Sequence, residues 1–222
     1  MHEVSRQTQW EQRTELPLAL ASLVFLAMYA VLVLAQDLPA AWRDLCAAVM
    51  ATAWALFAVD YGVRWRLGGQ GLRFVRTHKL DSVVVLLPLL RPLRVVKVYE
   101  AVQRRRGQPR LSLHARVITY SGVTAVLLGF ACALAVYDLE RGAPGTDMHT
   151  FGDALWWACT TLTTVGYGDV VPVTTGGRLI AVGLMACGLA LLGAVTGSFS
   201  SWLIQVFSRE SGSPDGEEPP RS

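Results

Sequence analysis

The residues Thr163-Thr164-Val165-Gly166-Tyr167-Gly168-Asp169 are where this chain can do chemistry, and the backbone is what would do it. Glycine at 166 and 168 permits positive φ at alternate positions, so successive carbonyls can all face one direction. A row of carbonyl oxygens aimed at one axis substitutes for the hydration shell of a dehydrated cation. A short helix over roughly 152–163 would point its negative C-terminal end at the same axis and favour a cation there. One chain supplies only one wall of such a path. Four copies give each ion about eight oxygens, with the Thr164 hydroxyls closing the inner end, so an obligate homotetramer around a central pore is expected. The competing reading of Gly166-Tyr167-Gly168 is a weak phosphate-binding loop. That loop needs a helix N-terminus directly after it, and Val170-Val171-Pro172 is poor material for one.

Extended backbone at membrane depth is tolerable only when it is buried in protein or lines a water-filled path, so the rest of the chain must build a membrane scaffold. Composition agrees. Of 222 residues, 52% are hydrophobic and 17% charged, against about 25% charged in a soluble domain. That balance argues against a disordered chain, a basic nucleic-acid-binding domain and an ordinary cytosolic enzyme. A net charge of +3 is too small to attract a polyanion. Cys46, Cys132, Cys159 and Cys187 lie in apolar stretches without a CxxC pair and read as buried free thiols. His2, His78, His114 and His149 have no zinc-ligand spacing, and there is no GxSxG elbow or Ser/His/Asp grouping. Neither an enzyme nor a cofactor is expected.

About 20 helical residues cross the hydrocarbon layer. Charge-free runs of that kind cover Leu16–Ala35, Leu45–Val59 extended to Val63, Val117–Tyr137 and Leu179–Phe207. The first is too long for a cleaved signal core and follows a polar arm of 15 residues. Lys and Arg crowd 64–79 and 104–116, which places both linkers on the cytoplasmic side; 36–44 and 138–153 are acidic and fall outside. The segment between the two basic linkers must then cross twice. It does so if one limb begins near Leu72 and the other ends near Arg106, with Pro88 and Pro92 flanking an outer turn. By the same parity Phe151–Val165, too short to span, re-enters from outside. Residues 208–222, rich in Ser, Gly, Pro and charge, read as a disordered tail.

From about Leu16 to Phe207 the chain resembles six-transmembrane voltage-gated potassium channels of prokaryotic type. The stretch Phe151-Gly152-Asp153-Ala154-Leu155-Trp156-Trp157 through Pro172 carries the resemblance, with Thr-Val-Gly-Tyr-Gly at 164–168. It implies an all-α membrane protein: a four-helix voltage-sensor-like bundle, then a two-helix pore domain with a re-entrant pore helix and selectivity filter. The divisions would be 1–15 (cytoplasmic arm), 16–106 (sensor-like), 107–115 (linker), 116–207 (pore) and 208–222 (tail). It also implies that Thr164, Val165, Gly166, Tyr167 and Gly168 bind potassium, the permeant ion, through backbone oxygens. Trp156 and Trp157 would form an aromatic cuff with Tyr167, and Asp169 would support the filter. Gly188 falls where the family places a flexible glycine, implying a gating hinge. Gly193 and Gly197 form a GxxxG pair, and with Gly183, Ala186 and Ala190 the helix is equally suited to close packing. Both readings of Gly188 stay open.

Arg91, Arg94 and Lys97 recur every third residue on an apolar background, and charges in a membrane segment mark function by default. Phe57-Ala58-Val59-Asp60-Tyr61-Gly62-Val63-Arg64 matches the family's second-segment pattern, in which Phe57 and Asp60 form a transfer site for passing cations. Asp81 matches the acid of the third segment. Three charges in each of four subunits are worth up to about 28 kcal/mol across 100 mV if each crosses the whole field. The repeat then departs from the family with Glu100 and Gln103, and Glu100 subtracts from gating charge if it moves with the helix. The bland alternative is that Arg91 to Lys97 pair with Asp60 and Asp81 only to fix the hairpin, while Asp60 and Arg64 bridge each other. Arg104-Arg105-Arg106 reads as a cytoplasmic stop or a contact for anionic lipid. The expected protein is thus a potassium-selective homotetramer of the cell membrane with both termini cytoplasmic. A voltage-insensitive leak pore and a non-conducting accessory subunit are its rivals.

Overall fold

The computed structural model describes residues 2–35, 37–67 and 113–211. Among these the only regular secondary structure is helix: α1 His2–Leu34, α2 Ala40–Leu67, α3 Leu113–Glu140, α4 Phe151–Leu162 and α5 Thr175–Ser211. Four of them contain stretches long and apolar enough to cross a membrane, at Leu16–Leu34, Ala40–Val63, Val117–Glu140 and Thr175–Ser208. These are the four spans expected from charge-free runs, but the helices overrun the runs at almost every end. Helix α2 begins at Ala40 rather than Leu45, its first bonds running from Trp42 and Arg43 back to the Pro39 carbonyl. Residues 2–15, expected as an arm apart from the span, are helical and continue into it through Pro17. Residues 208–211 are helical too and not part of a disordered tail. Charge ends a hydrophobic stretch without ending a helix, because a helix satisfies its backbone in water or lipid alike. The two limbs expected between 72 and 106 lie outside the described residues.

Helix α3 is the centre of the C-terminal half. Residues Ala131 through Tyr137 are buried without interruption, so every face of those two turns is covered. Helices α4 and α5 cover two sides, and Leu26 and Val33 of α1 join the same cluster. Helix α5 contributes Gly177, Ala181, Leu184 and Gly188, a buried stripe at helical spacing. Its other faces are apolar and bare in the single chain, with Leu179 70% and Leu189 67% exposed. A second, smaller cluster joins α1 to α2 through Leu18, Ala53 and Phe57, with Ala21 and Phe25 against it.

Helix α4, with 12 residues, is about 18 Å long and cannot span a layer of about 30 Å. It starts at a capping box. The Asp153 N–H donates to Thr150 Oγ1 at 3.2 Å, and the Thr150 N–H donates to Asp153 Oδ2 at 2.7 Å. Its first residue is pinned to α3 by edge-on ring contacts of Phe151 with Phe130 and Tyr137, centroids 5.7 and 6.1 Å apart. Phe130 and Tyr137 are two turns apart on α3, so together they fix where α4 begins. Ala154, Trp157 and Ala158 form its buried face.

Candidate functional site

The loop after α4 has the backbone that the two glycines were expected to allow. Gly166 and Gly168 take φ of 54° and 75°, and Thr164 joins them at 59°. Left-handed residues thus fall at 164, 166 and 168 with ordinary residues between them, which turns successive peptide planes the same way. Sequence reasoning missed Thr164 as a third left-handed position, because a β-branched residue there costs of order 1–3 kcal/mol and nothing in its type announces it. The loop is held by its amides: Thr164 N–H donates to the Thr161 carbonyl at 3.1 Å, and Val165 and Gly166 both donate to the Thr160 carbonyl, at 2.9 and 3.1 Å. Those three N–H groups face the end of α4. Residues 163–169 are all exposed in the single chain. The C-terminal end of α4, which carries the negative pole of its dipole, ends at this loop.

The expected supports divide into two groups. Trp156 lies parallel to Tyr167, centroids 5.6 Å apart and planes 3° apart. Its indole N–H donates to Asp169 Oδ2 at 2.8 Å. One side chain therefore clamps the loop at two points. Trp157 turns away, is 4% exposed and belongs to the core around α3. The apolar environments expected for the thiols hold for Cys46, Cys132 and the half-buried Cys187, whereas Cys159 on α4 is exposed in the single chain.

Glu140, counted from sequence only among the acids of an outer linker, is the functional residue that reasoning missed. It is fully buried at the end of α3. It accepts from the N–H groups of Val173 and Thr174 at 3.0 Å each and from the Thr174 hydroxyl at 2.6 Å. The Thr146 hydroxyl approaches its second oxygen at 3.4 Å. Thr174 in turn caps α5, its Oγ1 accepting from the Gly177 N–H at 3.0 Å. The carboxylate is thus the anchor of the strand that leaves the loop. Gly177 has to be glycine, since a Cβ would overlap Glu140 Oε1. The one available signal was an acid as the last residue of an apolar span.

Gly188 is where α5 crosses the end of α4. A Cβ there would be 3.1 Å from the Leu162 carbonyl oxygen and 3.4 Å from Leu162 Cα, a close backbone approach. Phe57 and Asp60, 1% and 4% exposed, occupy one buried face of α2. Asp81, Arg91, Arg94, Lys97, Glu100 and Gln103 lie outside the described residues, so their expected partnership with Phe57 and Asp60 does too.

Residues 123–205 match the family model described as ion channel. Among curated proteins, the chain is 40% identical over 78 residues to a voltage-gated potassium channel of Aeropyrum pernix, an overlap of 35% of this chain and 26% of that one. It is 34% identical over 94 residues to a calcium-gated potassium channel of Thermoplasma volcanium, covering 40% and 27% of the two chains. The longest of these overlaps is with a cyclic nucleotide-gated potassium channel of Mesorhizobium japonicum, 28% identical over 194 residues, 78% of this chain and 53% of that one. The chain spans about a quarter to a half of the length of these relatives. Its matched segment contains α4, the loop after it and the Glu140 anchor and is similar to ion channels over those residues, and the four apolar helices mark the chain as a membrane protein.

Proposed function

We propose that this protein is a potassium-selective channel that conducts passively through a central pore formed by four copies. The carrying observation is the alternation of left-handed backbone at Thr164, Gly166 and Gly168, with the amides of Thr164, Val165 and Gly166 bonded back to α4. That arrangement leaves one row of carbonyls per chain, and a row becomes a coordination shell only when several chains face each other. The bare apolar faces of α5 and the exposed filter are what such an assembly would cover. On this reading α1, α2 and the two limbs in 72–106 form the sensor-like bundle, and α3 to α5 form the pore domain. Both termini are cytoplasmic at the cell membrane, following the Lys/Arg bias of 64–79 and 104–116.

Voltage gating rests on Arg91, Arg94 and Lys97 with the buried Phe57–Asp60 face as the site they pass. Glu100 and Gln103, which shorten the charge repeat, favour the second reading of a leak pore open at all voltages. Liposomes containing the purified chain alone test the proposal. Potassium should move at least tenfold faster than sodium, and Gly166→Ala should abolish that ratio or the flux, because alanine is strained at φ 54°. Equal sodium flux overturns the selectivity. A protein that conducts only when mixed with another channel subunit is an accessory.

A further inference from the structure

The outer end of α3 faces two ways, and only one of them serves the filter. On the side away from Glu140, Arg141 donates from Nη1 to the Val33 carbonyl of α1 at 3.0 Å. That carbonyl is in the last turn of α1, where backbone acceptors have no partner within their own helix. Arg141 Nη2 pairs with Asp138 at 2.8 Å, and the Tyr29 hydroxyl of α1 lies near the same carboxylate. Below these polar contacts, Leu26, Tyr29, Ala30 and Val33 pack into the cluster that α3, α4 and α5 share. An ion pair as open to solvent as Asp138–Arg141 contributes little by itself. Its value is that it orients Arg141 onto an orphan carbonyl above an apolar seat.

In a ring of four chains, nothing in the connection forces α1 to keep this position. Residues 68–112 separate α2 from α3, so no short direct connection ties α1 to the α3 of its own chain. The contacts have to decide. We propose, building on the tetrameric reading, that each α1 stays seated on α3 of its own subunit, held by a latch of Tyr29, Asp138, Arg141 and the Val33 carbonyl. The sensor-side helices and the pore of one chain then form one body at the outer surface. Arg141 is next in sequence to Glu140, so the same helix end joins α1 to the leg of the filter.

Cross-linking tests this without relying on conduction. In a chain whose Cys46, Cys132, Cys159 and Cys187 are replaced by Ala, Tyr29→Cys and Asp138→Cys are introduced, leaving the apolar seat in place. A short bifunctional methanethiosulfonate is then applied to the purified oligomer. The expected result is a linked peptide within single chains, and no linked dimer when the two cysteines are on differently tagged chains of mixed oligomers. A linked dimer from the mixture overturns the proposal, and so does the absence of any link. Should the cysteine-free chain not fold, the thermal midpoint of the otherwise native oligomer replaces it. Tyr29→Phe and Arg141→Gln should each lower that midpoint, and the double variant should fall no further than the larger single effect. Fully additive losses overturn the latch. An oligomer that carries no potassium but passes these tests sinks the channel reading and leaves the latch standing.

Discussion

Glu140 gathers the end of α3, the leg that leaves the filter and the cap of α5 onto one carboxylate. Three of its bonds come from Val173 and Thr174, and both carboxylate oxygens take part. In Glu140→Gln one oxygen becomes an amide nitrogen, which meets an N–H as donor against donor. A buried group left without its bond costs about 1–3 kcal/mol. The variant should therefore assemble but lose potassium flux roughly tenfold, measured against protease-resistant oligomer in the same liposomes. Unchanged flux would show that the leg does not depend on this anchor. Gly188 allows a sharper choice between its two readings. If close packing on Leu162 is what requires glycine, Gly188→Ala should destabilise the oligomer by about 1–3 kcal/mol in thermal melting, since overpacking displaces backbone. If bending is what requires it, melting should hold while opening slows. At this scale the filter was legible because Gly166 and Gly168 betray their backbone by type. Thr164 and Glu140 were not, because a strained threonine and a buried acid look like any other threonine and acid until their partners are known.

Helix α4 shows which features of an element are written locally. Its place and shortness were legible as a brief apolar run, read as a helix over roughly 152–163, but the cap that starts it, Thr150 with Asp153, was not read. Asp153 holds the N–H groups of Thr150 and His149. The Thr150 backbone bond is the largest reason its carboxyl titrates below the usual range. A group with a lowered pKa stabilises the fold above its unfolded value, and that contribution disappears as pH falls through the folded one. Acidifying the outer side below about pH 4 should thus loosen the start of α4 and weaken the filter's support. Asp153→Asn should be less stable than the native chain at neutral pH and lose less on acidification, followed by oligomer melting from pH 7 to 3. Equal acid sensitivity in both would assign the effect elsewhere. The spans were legible for a related reason: apolar length is a local property. Their ends were not, because Arg43 and Asp44 stop a hydropathy window at a position where α2 continues unbroken. The seating of α1 on α3 had no signal at all, since Tyr29 and Asp138 are far apart in the chain and each is ordinary alone.

For the whole molecule, the question is whether the two halves exchange work. The C-terminal half has a packed core around α3, and the N-terminal helices meet it through α1. Any force on the charged repeat must reach the gate through such contacts or along the chain between the halves. Each charge carried through 100 mV is worth about 2.3 kcal/mol, so even one effective charge per subunit, summed over four, gives about 9 kcal/mol. That is enough to move a gate from mostly closed to mostly open, a shift requiring about 5.5 kcal/mol. The acid at Glu100 opposes this if it travels with Arg91, Arg94 and Lys97. Neutralising it should therefore steepen the response, whereas Arg94→Gln should flatten it, both read as the slope of open probability against potential in planar bilayers. The paired signs are the point of the measurement. Glu100→Gln and Arg94→Gln change net charge in opposite directions, so a general effect of surface charge moves the midpoint of both curves and leaves their slopes alone. Opposite changes in slope require charge that moves through the field. If neither substitution alters an open probability that is already flat, the arginines only brace the hairpin, and the pore defined by Thr164 to Gly168 conducts without a sensor.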